Sequence, residues 1–210
     1  MSKYTINVSF QTRVNKTTRT LEIAESFGLG LDEKEWTLYD NLELEVKQGD
    51  VVYITGQSGS GKSVVLRELQ RQMKDEGLPV ASIDDFAFDN EVNVIDQLGK
   101  TTSEALGLLS MAGLNDAYLF VRKPSEMSDG QKYRLKIAKL IESGAKVWAA
   151  DEFGAVLDRV TAQVVASNLQ RAARKVGATV MVATTHEELR SAHVLDRHSA
   201  TPHRDSGEVE

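Results

Sequence analysis

Residues 56–63 read Gly56-Gln57-Ser58-Gly59-Ser60-Gly61-Lys62-Ser63. This spacing matches the pattern G-x-x-x-x-G-K-[S/T], in which glycines let backbone N–H groups curl around phosphates without a clash from a Cβ atom. The preceding run, Val51–Thr55, is apolar and β-branched, which predicts a strand buried on both faces. From Lys62 onward apolar residues recur at helical spacing, which predicts a helix that ends before Gly77. The stretch therefore predicts a phosphate-binding loop between a strand and a helix.

Each part of this loop has an expected partner on a nucleotide. Lys62 is expected to reach the β- and γ-phosphates, and Ser63 is expected to bind Mg²⁺. The start of the helix adds partial positive charge. The alternative, a Gly/Ser-rich loop without a ligand, is disfavoured because the pattern and its flanking elements agree. The predicted nucleotide-binding residues of the loop are Gly56, Gln57, Ser58, Gly59, Ser60, Gly61, Lys62, Ser63 and Val64.

A second apolar run, at 146–150, ends in the carboxylates Asp151 and Glu152. A carboxylate after a buried strand is suited to organising Mg²⁺ and its waters beside a phosphate loop. We expect Asp151 to hold the metal together with Ser63, and Glu152 to polarise the attacking water. Taken alone, the pattern also fits an ordinary acidic strand end. Downstream of a phosphate loop it favours metal binding and catalysis.

Strands and helices alternate along the rest of the chain. Alternating apolar residues at 4–10 and 42–46 predict N-terminal strands, and further strands are predicted at 80–83, 146–150 and 178–184. Helices are predicted after Ser128 and at 161–176, and a helical pattern fills 89–125. This alternation indicates an α/β fold with a mostly parallel sheet, on which 89–125 would form a helical insert. We expect one domain at 1–198 with a helical subdomain at about 89–140, followed by a polar tail at 199–210.

Composition narrows the function classes. The 210 residues carry a net charge of −6 at pH 7 and no cysteine. The absence of cysteine excludes disulfides, thiolate metal sites and cysteine nucleophiles, and the negative charge does not indicate nucleic-acid binding. No run approaches the ~20 apolar residues that a membrane helix needs, and an apolar signal segment is lacking at the N-terminus. We therefore expect a cytoplasmic protein that reaches a membrane only through a partner.

Three further segments follow in order: Ser128-Asp129-Gly130-Gln131, Val156-Leu157-Asp158 and Val182-Ala183-Thr184-Thr185-His186. Together with the phosphate loop and the acidic strand end, they resemble the motif set of the ABC-type (ATP-binding-cassette) ATPases over most of the chain. They resemble, in turn, the family's signature, its D-loop with Asp158, and its switch-histidine segment ending in His186. The signature is usually Ser-Gly-Gly-Gln, so Asp129 replaces a glycine. The resemblance implies a P-loop NTPase fold of the ABC ATPase type, with a mainly parallel sheet core, an N-terminal antiparallel β portion and a helical insert.

The resemblance also implies ATP and Mg²⁺ as cofactors, ATP hydrolysis and an ATP-dependent homodimer. In this family the signature of one subunit closes over the γ-phosphate bound by the other. Ser128 and the backbone N–H of Gly130 are therefore expected to donate to the nucleotide of a second copy. His186 is expected to contact the γ-phosphate and to orient Glu152 or the water. Asp129 is expected to weaken closure unless it turns outward or pairs with Lys132 or Arg134.

One family position departs from its usual residue. A glutamine normally follows the strand after the first helix and senses Mg²⁺, but this chain has Asp84 and Asp85 there. We expect one of these two aspartates to occupy the glutamine position. Gln97 lies in a helical pattern and is expected to serve packing or the surface.

A second family position is an aromatic residue upstream of the loop that stacks on adenine. Phe27, which precedes Gly28, fits best. Trp36 and Tyr39 are the alternatives, and each of the three would also suit a core position.

The resemblance leaves three interpretations of function, because one fold serves many roles. The first is a soluble ABC ATPase with an unknown cytoplasmic partner. It is favoured by a looser resemblance, over 19–32, 49–56 and 94–100, to a soluble group often fused to a predicted acetyltransferase domain that this sequence lacks. The second is the nucleotide-binding subunit of a membrane transporter. The third is an ATP-gated interaction module with little turnover. Asp129 favours this interpretation, whereas the intact Glu152 and His186 argue against it.

Overall fold

The computed structural model describes residues 2–31, 34–185 and 199–200. The chain divides into two compact units, one formed by Thr5–Leu44 and the other by Met1–Tyr4 together with Glu45–Glu210. Within the described residues, no helix is both long enough and apolar enough to cross a membrane.

Two strands and a helix make up the N-terminal part of the chain. Strand β1 (Ser2–Thr12) and strand β2 (Lys34–Val46) form a two-stranded antiparallel sheet. Helix α1 (Thr18–Phe27) begins at a capping box of Thr17 and Thr20 and ends at Gly28, whose φ of 63° suits a glycine. The apolar pattern does not predict α1, because Ala24 is its one buried residue.

The larger unit is built on five parallel strands in the order β4-β5-β6-β3-β7. Strand β6 lies between β3 and β5, and its register pairs Thr184 with Thr55 and Val182 with Ala150. Because the carboxyl ends of parallel strands lie at one edge, the residues that follow β3, β5 and β6 converge there. The strands are β3 (Val51–Thr55), β4 (Val80–Ser82), β5 (Val147–Ala150), β6 (Thr179–Thr184) and β7 (Ser199–Ala200).

Helices connect and cover these strands. They are α2 (Lys62–Asp75), α3 (Thr102–Met111), α4 (Ala117–Phe120), α5 (Asp129–Glu142) and α6 (Arg159–Val176). The predicted apolar stripe of α2 is buried in full, since Val65, Leu66, Leu69 and Met73 are each 1% exposed or less. Strands β5 and β6 are buried along their whole length, as their continuous apolar runs predict. The predicted α/β fold of the ABC ATPase type is confirmed.

The segment 89–125 is less helical than its apolar pattern predicts. It contains α3, the four-residue α4 and 3-10 turns at Val94–Gln97 and Pro124–Glu126. Gln97 shows part of the reason, because its side chain accepts from the Asp89 N–H and donates to the carbonyls of Asp89 and Val92. A polar side chain thus satisfies backbone groups that a helix would otherwise pair, and the segment closes as a loop.

Candidate nucleotide-binding site

The loop after β3 ends at a helix that begins without a side-chain cap. Gly61 is the N-cap of α2, with a φ of 86°, and as a glycine it has no side chain to cap the first N–H groups of the helix. The other described helices of ten or more residues begin at Thr17, Thr101, Ser128 and Asp158, each of which caps with its side chain. The first turn of α2 also lacks an acidic residue. Open N–H groups and the positive end of the helix suit an anion, and phosphate is the anion that the sequence predicts.

Two side chains at the start of α2 are already oriented by the loop and by β5. The Lys62 ammonium donates to the Gln57 carbonyl at 2.8 Å, which folds the side chain back across the loop. The Ser63 hydroxyl donates to Asp151 Oδ1 at 2.8 Å. The structure therefore joins the two predicted metal-binding residues, which are far apart in sequence.

The Asp151 carboxylate lies at the centre of a small polar network. Its Oδ1 also accepts from the Glu152 N–H at 3.0 Å, and Arg67 approaches its Oδ2 at 3.9 Å. Hydroxyl and carboxylate oxygens are the ligands that Mg²⁺ prefers, usually with several retained waters. Ser63 and Asp151 thus fit the magnesium site that their residue types predict. No group of three or more His, Cys, Asp or Glu side chains in the described part of the chain would enclose a metal by itself.

Glu152 has an unusual backbone conformation for a glutamate. Its φ is 46°, in the left-handed region, whereas the residues with positive φ are otherwise glycines and Asn41 over the described chain. A bulky L-residue pays roughly 1–2 kcal/mol for this conformation. Such strain is concentrated at functional sites, where surrounding contacts hold it. The sequence gives no signal for this feature.

A cavity of about 460 Å³ lies over the loop. It contains the predicted phosphate-binding, metal-binding and catalytic groups, with Thr185 on its wall. Its lining residues are Ser58, Gly59, Gly61, Lys62, Ser63, Val64, Asp151, Glu152, Ala155 and Thr185. We refer to it as the loop cavity.

A second cavity of about 500 Å³ shares Ser63, Asp151, Glu152 and Ala155 with the loop cavity. Its other walls carry residues of α2, of the turn after β4, of α5 and of the segment after Glu152. These are Arg67, Asp84, Asp129, Lys132, Tyr133, Lys136 and Val156. We refer to it as the side cavity. It places residues of the predicted signature helix beside the metal-binding pair of the same chain.

Asp84 and Asp85 differ in their surroundings. Asp85 accepts from the Ser82 N–H at 3.0 Å and so closes a capping box of the 3-10 turn Ile83–Asp85. Asp84 lines the side cavity instead, with Lys136 of α5 at 3.9 Å. Of the two aspartates, Asp84 therefore is the one that faces Ser63 and Asp151.

The chain is similar in sequence to several known proteins. A profile described as ABC transporter matches residues 39–82. The methionine import ATP-binding protein MetN of Geobacillus kaustophilus is 26% identical, over 77% of this chain and 56% of the relative. Protein STAR1 of Oryza sativa subsp. japonica is 30% identical, over 70% of this chain and 51% of the relative. The chain spans about half the length of the curated relatives it matches.

Solved structures share the fold. The dimeric ATP-binding cassette MJ0796, in a post-hydrolysis state bound to ADP and Pi, has a TM-score of 0.62 at 19% identity and covers 91% of both chains. CbiO1 from Clostridium perfringens, part of an ABC transporter complex, has a TM-score of 0.58 at 18% identity over 71% of this chain and 72% of its own. The predicted resemblance to the ABC-type ATPases is confirmed. The narrower resemblance to the acetyltransferase-fused group stays a prediction.

The predicted signature segment starts helix α5. Ser128 is the N-cap: its hydroxyl accepts from the Gln131 N–H at 3.4 Å, and Gln131 Oε1 accepts from the Ser128 N–H at 2.9 Å. Gly130 faces α6, because a Cβ atom there would lie 2.6 Å from Thr161 Cγ2. Ser128 is exposed and Gly130 is buried. The second motif glycine is thus explained by helix packing, and the serine stays at the surface.

Asp129 stands where the ABC signature usually has a glycine. Its carboxylate is 65% exposed and lies 3.9 Å from the Lys132 ammonium. Arg134, the other expected partner, instead donates to the carbonyls of Gly130 and Gly113. Of the two expected partners, Lys132 is therefore the one that offsets the charge of Asp129. It does so only through a long, solvent-exposed contact.

The remaining predicted ABC positions divide into three groups. Asp158 is the N-cap of α6, and hydrogen bonds from the hydroxyl and N–H of Thr161 lower the pKa of its carboxyl. Phe27 is 75% exposed, so its ring is open to solvent, whereas Tyr39 is buried and Trp36 packs on Phe10. His186 lies outside the described residues. The D-loop role of Asp158 and the adenine-stacking role of Phe27 stay predictions.

Tyr133 lies at the site but belongs to none of the motifs that the sequence shows. Its ring packs edge-on against Phe153 with centroids 5.1 Å apart, and it lines the side cavity. Burial raises the pKa of its hydroxyl strongly, and the nearby charges of Asp84 and Asp151 raise it further. Tyr133 therefore stays protonated beside the carboxylates. It also joins α5 directly to the residue that follows Glu152.

Proposed function

We propose that this chain binds ATP with Mg²⁺ and hydrolyses it in a site shared between two copies. The observation that carries the proposal is the uncapped start of α2 beside the Ser63–Asp151 pair and Glu152. A triphosphate supplies the anion that this helix start lacks. The dimeric, ADP- and Pi-bound state named for MJ0796 supports the extension to a dimer.

The phosphates would replace contacts that the loop now makes within itself. Lys62 would exchange the Gln57 carbonyl for phosphate oxygens, which gives its charge a stronger partner. Ser63 and Asp151 would hold Mg²⁺, and that ion would neutralise charge on the phosphates. Asp84, which lines the side cavity together with Ser63 and Asp151, is the candidate for contact with the waters of the ion.

Glu152 is the proposed general base. It is exposed and lines both cavities, so its carboxylate can accept a proton from a water near the terminal phosphate. His186 is the proposed second group that orients this water. Because the N–H of Glu152 is bound by Asp151, the proposed base and the proposed metal-binding carboxylate are held as one unit.

A second copy would complete the site with its signature. Ser128 is exposed, and a hydroxyl that accepts one hydrogen bond can still donate its own hydrogen to a phosphate oxygen. The N–H groups at the start of α5 would add to this contact. Asp129 opposes it through like charge, so closure is expected to be weaker than with a glycine at this position.

Glu152→Gln tests this proposal. The variant keeps the size of the side chain but removes the base, so ATP should be trapped between two copies. Light scattering after gel filtration should show a monomer without nucleotide and a dimer with Mg-ATP. Lys62→Ala, which removes the phosphate contact, is the matched control and should stay monomeric. A Glu152→Gln variant that hydrolyses ATP at the wild-type rate would remove Glu152 from this role.

The names of the relatives favour the transporter interpretation over the soluble one. MetN is named an import ATP-binding protein, and CbiO1 is described as part of a transporter complex. We therefore propose a membrane-embedded subunit as the partner, with a soluble partner as the alternative. Membrane fractionation of cells that express the tagged chain, followed by cross-linking mass spectrometry, separates the two. Cross-links to a polytopic protein support the transporter; a complex confined to the soluble fraction contradicts it.

A further inference from the structure

The strained backbone at Glu152 is held by the neighbouring strand. The next residue, Phe153, donates its N–H to the Ala183 carbonyl at 2.9 Å. The Phe153 carbonyl accepts from the Thr184 hydroxyl, also at 2.9 Å. Both partners lie at the end of β6, which runs between the loop strand β3 and the acidic strand β5. Two successive peptide groups after Glu152 are therefore fixed to one rigid element.

Thr184 is placed to act through this contact. It is fully buried, at 0% exposure, so its hydroxyl makes the hydrogen bond away from bulk water, where losing a partner is most costly. Its register partner on β3 is Thr55, the residue directly before the phosphate loop. The side chain thus sits between the loop strand and the turn that carries Glu152.

Three hydrogen bonds hold the backbone at Glu152 and at the residue that follows it. Asp151 accepts the N–H of Glu152, Ala183 accepts the N–H of the following peptide, and Thr184 donates to the carbonyl after that. The Phe153 ring is held separately by Tyr133. Two of these hydrogen bonds come from side chains, those of Asp151 and Thr184. The bond from Thr184 can be removed by a substitution of equal size that leaves the proposed metal-binding carboxylate in place.

We propose that Thr184 is a positioning residue for Glu152, and that its hydroxyl keeps the left-handed turn in place during ATP hydrolysis. The inference rests on the proposed role of Glu152 as the base. Without the hydroxyl, the turn can relax toward an unstrained φ and carry the carboxylate away from the water. A displacement of about 1 Å is enough to cost roughly 100-fold in rate.

The predicted effect lies in kcat and not in KM for ATP. Lys62, which is proposed to bind the phosphates, donates to the Gln57 carbonyl, whereas the Thr184 hydroxyl donates to the Phe153 carbonyl. Thr184→Val keeps the shape of the side chain and should lower kcat about 10- to 100-fold, with KM changed less than threefold. Thr184→Ser retains the hydroxyl and should restore most of kcat.

Thr179, at the other end of β6, provides the control. Its hydroxyl is also buried, accepts from the Gly49 N–H at 2.9 Å and donates to the Lys47 carbonyl at 3.4 Å. Thr179→Val should cost stability, as Thr184→Val does, but leave kcat unchanged. If Thr184→Val does not fold, Thr184→Cys replaces it, since a thiol of similar size is a weak donor and should give an intermediate loss.

The same assays in the Glu152→Gln background separate the two proposals. There, Thr184→Val should cause no further loss of rate, because the base on which it acts is absent. If Glu152→Gln is inactive but Thr184→Val matches Thr179→Val in kcat, the inference about Thr184 is wrong and the proposed function stands. If Glu152→Gln hydrolyses ATP at the wild-type rate, both are wrong. A loss that Thr184→Ser does not restore also overturns the inference.

Discussion

Gly130→Ala is expected to destabilise the chain through a single methyl group. The added Cβ would lie 2.6 Å from Cγ2 of Thr161, well inside van der Waals contact. Thr161 cannot turn away freely, because its hydroxyl donates to Asp158 Oδ2 at 2.5 Å and its N–H donates to Asp158 Oδ1. Relief of the clash therefore requires either that α5 and α6 move apart or that the start of α6 loses its cap.

The size of the effect follows from two opposing terms. Overpacking of a well-filled contact costs roughly 1–3 kcal/mol. Replacing glycine by alanine inside a helix returns roughly 0.5–1 kcal/mol. Taken at the middle of both ranges, the net loss is about 1 kcal/mol, and in a chain of this size each kcal/mol lowers Tm by about 2–4 °C. Thermal unfolding followed by circular dichroism should therefore show Tm lowered by about 2–4 °C.

Two variants make this prediction specific. Gly107→Ala, in the interior of α3, meets no atom within 4 Å and should raise Tm slightly, through the helix term alone. Thr161→Ser removes the clashing methyl but keeps the hydroxyl, so it should recover most of the Tm lost in Gly130→Ala. The packing explanation would be refuted if Gly130→Ala and Gly107→Ala shifted Tm alike, or if Thr161→Ser gave no recovery.

Three more predictions follow from the site. Lys62→Ala should abolish ATP binding, measured with a fluorescent analogue; unchanged binding would contradict the phosphate-loop assignment. Asp84→Asn should raise the Mg²⁺ concentration for half-maximal ATPase activity roughly 10-fold, whereas Asp85→Asn, at the capping position, should leave it unchanged; equal effects would contradict the assignment. Because folding lowers the pKa of Asp158, its ionised carboxylate stabilises the fold at pH values above the ordinary pKa of 3.8. This stabilisation is lost as the pH falls through the lower pKa of the folded state. Asp158→Asn should therefore show a shallower loss of stability below about pH 4 than the wild type; an unchanged acid limb would mean that the cap carries no pH dependence.

The local parts of the site could be predicted from the sequence because their signals are local. The phosphate loop is a contiguous pattern. The continuous apolar run of β3 and the periodic apolar residues of α2 are buried in the structure, as their patterns predict. The acidic end of β5 is equally local. Its contact with Ser63 follows once both strands are placed in one parallel sheet, because their carboxyl ends lie at the same edge.

The elements and residue roles that were not predicted from the sequence depend on contacts between distant parts of the chain. Helix α1 buries only Ala24, so it lacks the apolar stripe from which a helix is predicted. The segment 89–125 has apolar residues at helical spacing, but Gln97 ties it into a loop through hydrogen bonds that no spacing rule detects. The roles of Thr184 and Tyr133 depend on which strand and helix lie beside Phe153, and that is a property of the topology.

Asp129 has consequences for how tightly two copies can close. Its carboxylate faces the side cavity of its own chain and has a long contact to Lys132. The side cavity also holds Asp84, Asp151 and Glu152, and the basic side chains of Arg67, Lys132 and Lys136 on its walls offset most of this negative charge. Bound Mg²⁺ would lower the repulsion that remains, which agrees with a closure that depends on the metal as well as on ATP.

If each active site is shared by two copies, two variants that are inactive by themselves should complement one another in a mixture. Lys62→Ala has no phosphate contact but an intact signature, whereas Ser128→Arg has an intact loop and a blocked signature at an exposed position. Each variant alone should be inactive. Mixed in equal amounts, they form dimers with one complete site, and ATPase activity should reappear at a sizeable fraction of the wild-type rate. A mixture as inactive as its components would contradict the shared site, and so would full activity of Ser128→Arg alone.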